Sequence, residues 1–176
     1  MVKVDKVVGG IAEFIRRALE KNGIEYIVGA VNERAVVIGI KFESIKKVVD
    51  EEVMGTRAKV KMKDGVLFLI WPEKVDRVEI ENINRRILKR FAKMGIDAKG
   101  YILDDGESVV SIQLVSVVET ILYSAIDVAR QQISEKLRLI RVAVGHDDQW
   151  GYIVIYRRGE QVKKAVKPDE IEDLAV

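Results

Sequence analysis

The chain contains 176 residues, and 30 Lys and Arg against 28 Asp and Glu leave a formal net charge of +2. This length suffices for one domain or two small ones with a sizeable core, and the near balance of charges excludes a polyelectrolyte tail. The absence of cysteine excludes disulfides, thiolate catalysis and cysteine-based zinc or iron–sulfur sites.

The sequence contains no apolar stretch of the length that a signal peptide or a membrane span requires. Its longest apolar run is VLFLIW at 66–71, far below the roughly 20 residues of a spanning helix. We therefore expect a cytoplasmic protein. Charged residues make up 33% of the chain, and Val and Ile far outnumber Leu. This bias is expected of a hyperthermophile and suggests an archaeal-like protein.

The first part of the chain is predicted to alternate amphipathic helices with hairpins. Gly9-Gly10 marks the entry to a helix, whose apolar residues recur at helical spacing until Asn22-Gly23 ends it. Gly9-Gly10 also suggests a backbone phosphate site, although a simple helix-entry turn is the commoner use. The predicted elements are a helix over about 11–22, strands 24–31 and 35–42, a helix over 43–53, and strands 57–63 and 66–71.

The second part repeats the same alternation with longer elements. Its helices carry broad apolar stripes, and Asp104-Asp105-Gly106 and His146–Gln149 form the predicted turns between strands. The predicted elements are a helix over 78–94, strands 98–103 and 108–115, a helix over 116–135, strands 137–145 and 150–158, and a further strand over 161–166.

Three pairs of segments indicate an internal duplication. VIGIKFESI at 37–45 matches VVSIQLVSV at 109–117 at an offset of 72 residues. IRRALEK at 15–21 matches NRRILKR at 84–90 at an offset of 69, and VLFLIW at 66–71 matches GYIVIY at 151–156 at an offset of 85. Unrelated amphipathic units of the same order would also show some similarity, so this alternative stays open.

These patterns predict an α+β fold with tandem α-β-β-α-β-β repeats, antiparallel hairpin sheets, and helices packed on one face. We expect the repeats over 1–76 and 77–167, packed as a pseudo-dimer with a shared core, and an acidic C-terminal tail over 168–176. Two independently folded halves are the alternative.

Two acidic turns of the second repeat are candidates for a metal site. A helix that joins consecutive hairpins is expected to place both hairpin tips on one edge of the sheet. Carboxylates and an imidazole there would bind Mg²⁺ or Mn²⁺, as in a divalent-metal phosphodiesterase or nuclease. Asp-rich turns are also ordinary hairpin structure. The candidate ligands are Asp104, Asp105, Glu107, His146, Asp147 and Asp148.

A basic face on the third helix is a candidate nucleic-acid surface. Positive side chains along one helix face are what phosphate contacts require, although a solvated helix face would look the same. The candidate residues are Arg85, Arg86, Lys89, Arg90 and Lys93.

One face of the strand over 150–158 is mostly aromatic and suggests a stacking platform or a protein interface, with core packing as the commoner use. Its residues are Trp150, Tyr152, Val154 and Tyr156.

Residue types for catalysis are scarce, because there is one histidine and no Gly-rich phosphate loop or nucleophile elbow. We therefore expect a non-catalytic binding or scaffolding protein that uses a sheet edge and helix faces and needs no cofactor. Nucleic-acid binding and a metal-dependent nuclease are the alternatives. Since Val109–Val115 would leave an exposed apolar edge, we also expect a homodimer.

Overall fold

The computed structural model describes residues 4–103, 109–159 and 172–173 and confirms the α+β class. Helices and antiparallel hairpins alternate along the chain. The elements are α1 (Lys6–Lys21), β1 (Tyr26–Asn32), β2 (Ala35–Lys41), α2 (Phe42–Val53), β3 (Lys59–Lys63), β4 (Val66–Ile70), α3 (Arg77–Lys93), β5 (Gly100–Leu103), β6 (Val109–Gln113), α4 (Leu114–Leu137), β7 (Ile140–His146), β8 (Trp150–Arg157) and β9 (Glu172–Asp173). The predicted strand over 161–166 lies outside the described residues.

Helix α1 begins earlier than its apolar spacing predicts. The side chain of Asp5 accepts hydrogen bonds from the backbone N–H groups of Val7 and Val8, which caps the helix ahead of Gly9-Gly10. The two glycines therefore lie inside α1, and their prediction as a helix entry or a phosphate turn was wrong. Gly23, with φ of 67°, follows the last turn as predicted.

Each sheet combines one hairpin from each half of the chain. The larger sheet has the order β7-β8-β2-β1-β9, and the smaller has the order β3-β4-β6-β5. The junctions are the antiparallel pairs of β2 with β8 and of β4 with β6. The helices and both sheets contribute to one continuous apolar cluster, so the core extends across both halves.

Strand β6 lies in the interior of its sheet, between β4 and β5. Its predicted role as an exposed edge was therefore wrong, because hydrogen bonding on both sides satisfies its backbone. An exposed edge of β6 therefore no longer supports the expected homodimer, and dimerisation by strand pairing would have to use another edge strand.

Equivalent contacts recur in the two halves. Phe42 N donates to Gln149 O, and Leu114 N donates to Gly65 O, each at 2.9 Å. Phe42 and Leu114 are 72 residues apart, the offset of the strongest sequence match. Both bonds tie the start of a helix to the hairpin turn of the other half. The duplication stays a prediction, and these matched contacts support it.

Strand pairing changes the register of the last matched segment. Leu67 pairs with Ile112, and Gly151 pairs with Ile40, which lies 72 residues before Ile112. Gly151 is therefore the counterpart of Leu67, which gives an offset of 84 instead of the predicted 85. A shift of one residue exchanges the two faces of a strand. The apolar run alone could not show which face lies inward, because β4 is apolar on both.

Candidate binding surfaces

The basic residues of α3 are partly used within the protein. Arg86 donates to the backbone carbonyl of Glu52 at 2.9 Å, and Arg90 forms ion pairs with Glu51 and Glu52. The hydrogen bond to Glu51 raises the pKa of Arg90 above its usual value, against an opposing effect of burial. These two arginines connect α3 to α2, so their charges are largely neutralised.

The other candidates on α3 remain on the surface. Arg85, Lys89 and Lys93 are exposed, and Arg85 donates to Asn82 Oδ1 at 3.1 Å. None of the three forms an ion pair with another described residue. Nucleic-acid binding by α3 stays a prediction. Of its five candidate residues, Arg85, Lys89 and Lys93 keep an unpaired charge within the described ranges, whereas Arg86 and Arg90 do not.

Asp147, a candidate metal ligand, organises the turn between β7 and β8. Its Oδ1 accepts the backbone N–H groups of Gln149 and Trp150, each at 2.8 Å, and its Oδ2 accepts the Tyr152 hydroxyl at 2.7 Å. Both carboxylate oxygens therefore have structural donors, as expected for an aspartate that shapes a turn. Asp148, next to it, is exposed.

The predicted metal site is only partly within the described residues. Asp104, Asp105 and Glu107 lie outside them, so the site stays a prediction. Within 4–103, 109–159 and 172–173, no three His, Asp or Glu side chains are grouped so that they could hold a metal ion.

The described ends of the two acidic turns lie at different ends of β4. Val109, which follows the first turn, pairs with Ile70. The His146 ring lies instead over Gly65, where an added Cβ would be 2.9 Å from His146 Nδ1. Gly65 precedes the opposite end of β4. The expected convergence of the two turns gains no support from this geometry.

The aromatic face of β8 is not an open platform. Tyr152 and Val154 are each 2% exposed and form a small apolar cluster with Val37, which Trp150 and Tyr156 flank. Free stacking of nucleic-acid bases on this face was therefore a wrong prediction, and core packing is the outcome. Alternation along a strand shows that these residues share a face, but it does not show whether that face is covered.

The equivalent outer strands β3 and β7 differ in charge, a contrast that the sequence patterns did not indicate. At the structural offset of 84, Lys59 and Lys61 of β3 correspond to Ala143 and Gly145 of β7. Edge lysines discourage the addition of another strand. The β3 edge is therefore protected by three lysines, whereas β7 carries no lysine and one arginine, Arg141. The strand order was needed to recognise this contrast, because lysines protect a strand from further pairing only when that strand lies at the edge of a sheet.

A cavity of about 540 Å³ lies where α1, the end of α3 and α4 meet. Phe14, Ala125 and Val128 contribute apolar surface to its lining, which also includes Lys21 and Lys93. Asn22 Nδ2 donates to Met94 O at 3.2 Å beside it, which joins the ends of α1 and α3. No sequence motif indicated this cavity, because its walls come from three separate segments.

Comparisons with known proteins give a relative but no function. No family model matches the chain. It is similar to uncharacterised protein 34 of Sulfolobus islandicus filamentous virus, at 28% identity over 169 residues, which cover 96% of this chain and 95% of the relative. That relative comes from an archaeal virus of a hyperthermophile, which agrees with the hyperthermophile bias of the composition, although the sequence did not indicate a virus.

Among solved structures, the chain is similar to AFV1-102, a protein from Acidianus Filamentous Virus 1. The match has 14% identity and a TM-score of 0.29, and covers 85% of this chain and 97% of that one. This score is too low to support a common fold.

None of the helices among the described residues has the length and the apolar composition of a membrane span.

Proposed function

We propose that the protein is a non-catalytic binding protein that assembles with a second copy of itself through the edge of β7. The observation that carries the proposal is the contrast between the two outer strands. β3 has a lysine at alternate positions, whereas the equivalent positions of β7 hold Ala143 and Gly145. No strand pairs with the outer side of β7 within the described residues.

The backbone of β7 has hydrogen-bonding groups available for such an assembly. Arg158 N donates to Leu139 O, and Asp147 N donates to Trp150 O, so odd-numbered residues of β7 face β8. Hydrogen-bonded and free positions alternate in an antiparallel pair. The positions whose N–H and C=O groups point away from β8 are therefore Ile140, Val142, Val144 and His146.

A second β7 is a self-complementary partner for this edge. Antiparallel pairing centred on Ala143 places Val142 opposite Val144 and Arg141 opposite Gly145, so no like charges face each other. The two five-stranded sheets would become one continuous sheet with a two-fold axis. A cavity of about 460 Å³ between α4 and β7, lined by Ile126 and Val142 among others, adds apolar surface beside the edge.

The test is the mass in solution by light scattering over a micromolar concentration series. The unaltered chain is expected at twice its 19.9 kDa mass. Ala143→Lys places two ammonium groups face to face at the centre of the pairing, so it should give the monomer mass. Ala143→Thr, which suits a strand and adds no charge, should remain a dimer.

Two results would overturn the proposal. One is a mass of 19.9 kDa for the unaltered chain at every concentration. The other is a dimer that Ala143→Lys leaves intact, because the dimer would then use another surface. Circular dichroism of each variant checks that the exposed substitution at Ala143 preserves the fold.

A further inference from the structure

In the described part of the chain, the outer face of the four-stranded sheet combines unpaired lysines with one exposed tyrosine ring and one half-buried phenylalanine ring. Cross-strand pairing aligns Lys61, Phe68, Ser111 and Tyr101 in one row across β3, β4, β6 and β5. Directly paired residues of neighbouring strands point to the same face. With the neighbouring lysines of β3, the lysine–aromatic face consists of Lys59, Lys61, Lys63, Phe68 and Tyr101.

The helices pack on the opposite side of this sheet. Val60, Met62, Leu67 and Leu69 alternate with the residues of the lysine–aromatic face and belong to the main core or pack against it. Helix α2 contacts β3, and helix α3 contacts β5. Tyr101 is 55% exposed, and Phe68 is half-buried between its strand neighbours. The two rings are therefore presented on the side away from the helices.

The lysines of β3 have no internal counter-charge among the described residues. All three are exposed, and none forms an ion pair there. By contrast, Arg16 of α1 and Arg86 and Arg90 of α3 pair with glutamates. Alternate residues of a strand are about 7 Å apart. The row therefore presents a line of three unneutralised cations along one border of the aromatic surface.

We propose that the lysine–aromatic face binds single-stranded nucleic acid. A strand that crosses this face would place phosphates at Lys59, Lys61 and Lys63 on one border and the bases of its following nucleotides on Phe68 and Tyr101, because Tyr101 lies three strand spacings of about 4.8 Å from Lys61. Bases released from a duplex stack on exposed aromatic rings whatever their sequence. Tyr101 supplies such a ring, and the accessible part of Phe68 lies in the same row, whereas the bases inside an intact duplex could not reach them.

The equivalent face of the other sheet lacks the lysine row, and its aromatic residues among the described ones, Trp150, Tyr152 and Tyr156, are buried or half-buried. At the offset of 84, Ala143, Gly145 and Asp147 replace the lysines, and Tyr152 is the counterpart of Phe68. Tyr152 is buried and hydrogen-bonded to Asp147, so it offers no free ring. Among the described residues, the lysine row and an exposed aromatic ring therefore coincide in one sheet only, as expected for a binding site and not for a general property of the fold.

The test is fluorescence anisotropy with labelled 15-nucleotide DNA and RNA strands of mixed sequence, and with the matching duplex, over a salt series. The unaltered protein should prefer single strands. Combined Lys59→Ala, Lys61→Ala and Lys63→Ala should weaken binding and reduce the slope of log Kobs against log salt by about 2, at roughly 0.7 per phosphate contact. Tyr101→Ala should weaken binding about 5- to 150-fold with the slope unchanged.

Matched controls use surfaces away from this sheet. Tyr123→Ala removes a tyrosine of similar exposure, 59%, from α4 and should leave affinity unchanged. Combined Arg85→Ala and Lys89→Ala removes free cations from α3 and should leave the salt slope unchanged. Ala143→Lys should change the mass without abolishing binding, which separates this proposal from assembly through β7.

Each contrary outcome overturns the proposal. Absence of binding even at low ionic strength excludes the site. Preference for the duplex, or loss of the salt slope in the α3 variant alone, would assign binding to another surface. Equal effects of Tyr101→Ala and Tyr123→Ala, with a salt slope that depends on the lysines, would indicate charge attraction without stacking.

Discussion

Close packing around one strand glycine gives a stability prediction at the residue scale. A Cβ on Gly151 would lie 2.5 Å from Val118 Cγ2 and 3.0 Å from the Phe42 ring, and both neighbours are fully buried. Gly151→Ala must therefore displace core side chains and should lower the free energy of unfolding by about 1–3 kcal/mol, measured by chemical denaturation.

The control is another glycine, inside α1. A Cβ on Gly10 would meet no atom within 4 Å. Gly10→Ala should therefore raise the free energy of unfolding by about 0.5–1 kcal/mol, because alanine has the better helix propensity. If both substitutions destabilised the protein equally, close packing would not be the reason for Gly151.

The glycines show which residue-scale features the sequence can predict and which it cannot. Turn glycines such as Gly23 and Gly65 have positive φ, as their positions after a helix and within a hairpin predict. A glycine within a strand pattern signals a close approach but does not identify the neighbour. For Gly151 the neighbours come from α2 and α4, which are distant in sequence.

At the scale of elements, the N-terminal cap of α1 should contribute measurable stability. Asp5 accepts two backbone N–H groups of the first turn and lies 3.8 Å from Arg157 Nε. Asp5→Ala should lower the free energy of unfolding by about 1 kcal/mol. Asp5→Asn keeps the oxygen acceptor and should cost less than half as much. An equal loss in both variants would assign the effect to the ion pair with Arg157.

Helices and strands were predicted in the right order because their periodicity is local. The order of strands within each sheet was not, since it depends on pairs such as β2 with β8 that are more than 100 residues apart. The misplaced β6 edge and the missed contrast between β3 and β7 have this common origin. The basic face of α3 was predicted from spacing, but its partners, Glu51 and Glu52, lie on another helix.

At the scale of the whole molecule, neither half of the chain contains a complete sheet. Within 1–76, β2 would lose its pairing with β8, and β4 would lose its pairing with β6. Each sheet of that half would shrink to a single hairpin, which is marginally stable in water. Val36 and Ile38, both fully buried, would lose the facing residues of β8.

We therefore expect a fragment of residues 1–76 to show no cooperative thermal transition by circular dichroism. Mixing it with a fragment of residues 77–176 should restore a cooperative transition, because the missing hairpins then supply both junctions. The intact chain serves as the reference for the amplitude and midpoint of the transition. Cooperative melting of residues 1–76 alone would contradict the shared core and favour two independently folded halves. The pairs of β2 with β8 and of β4 with β6 would then not be needed for stability.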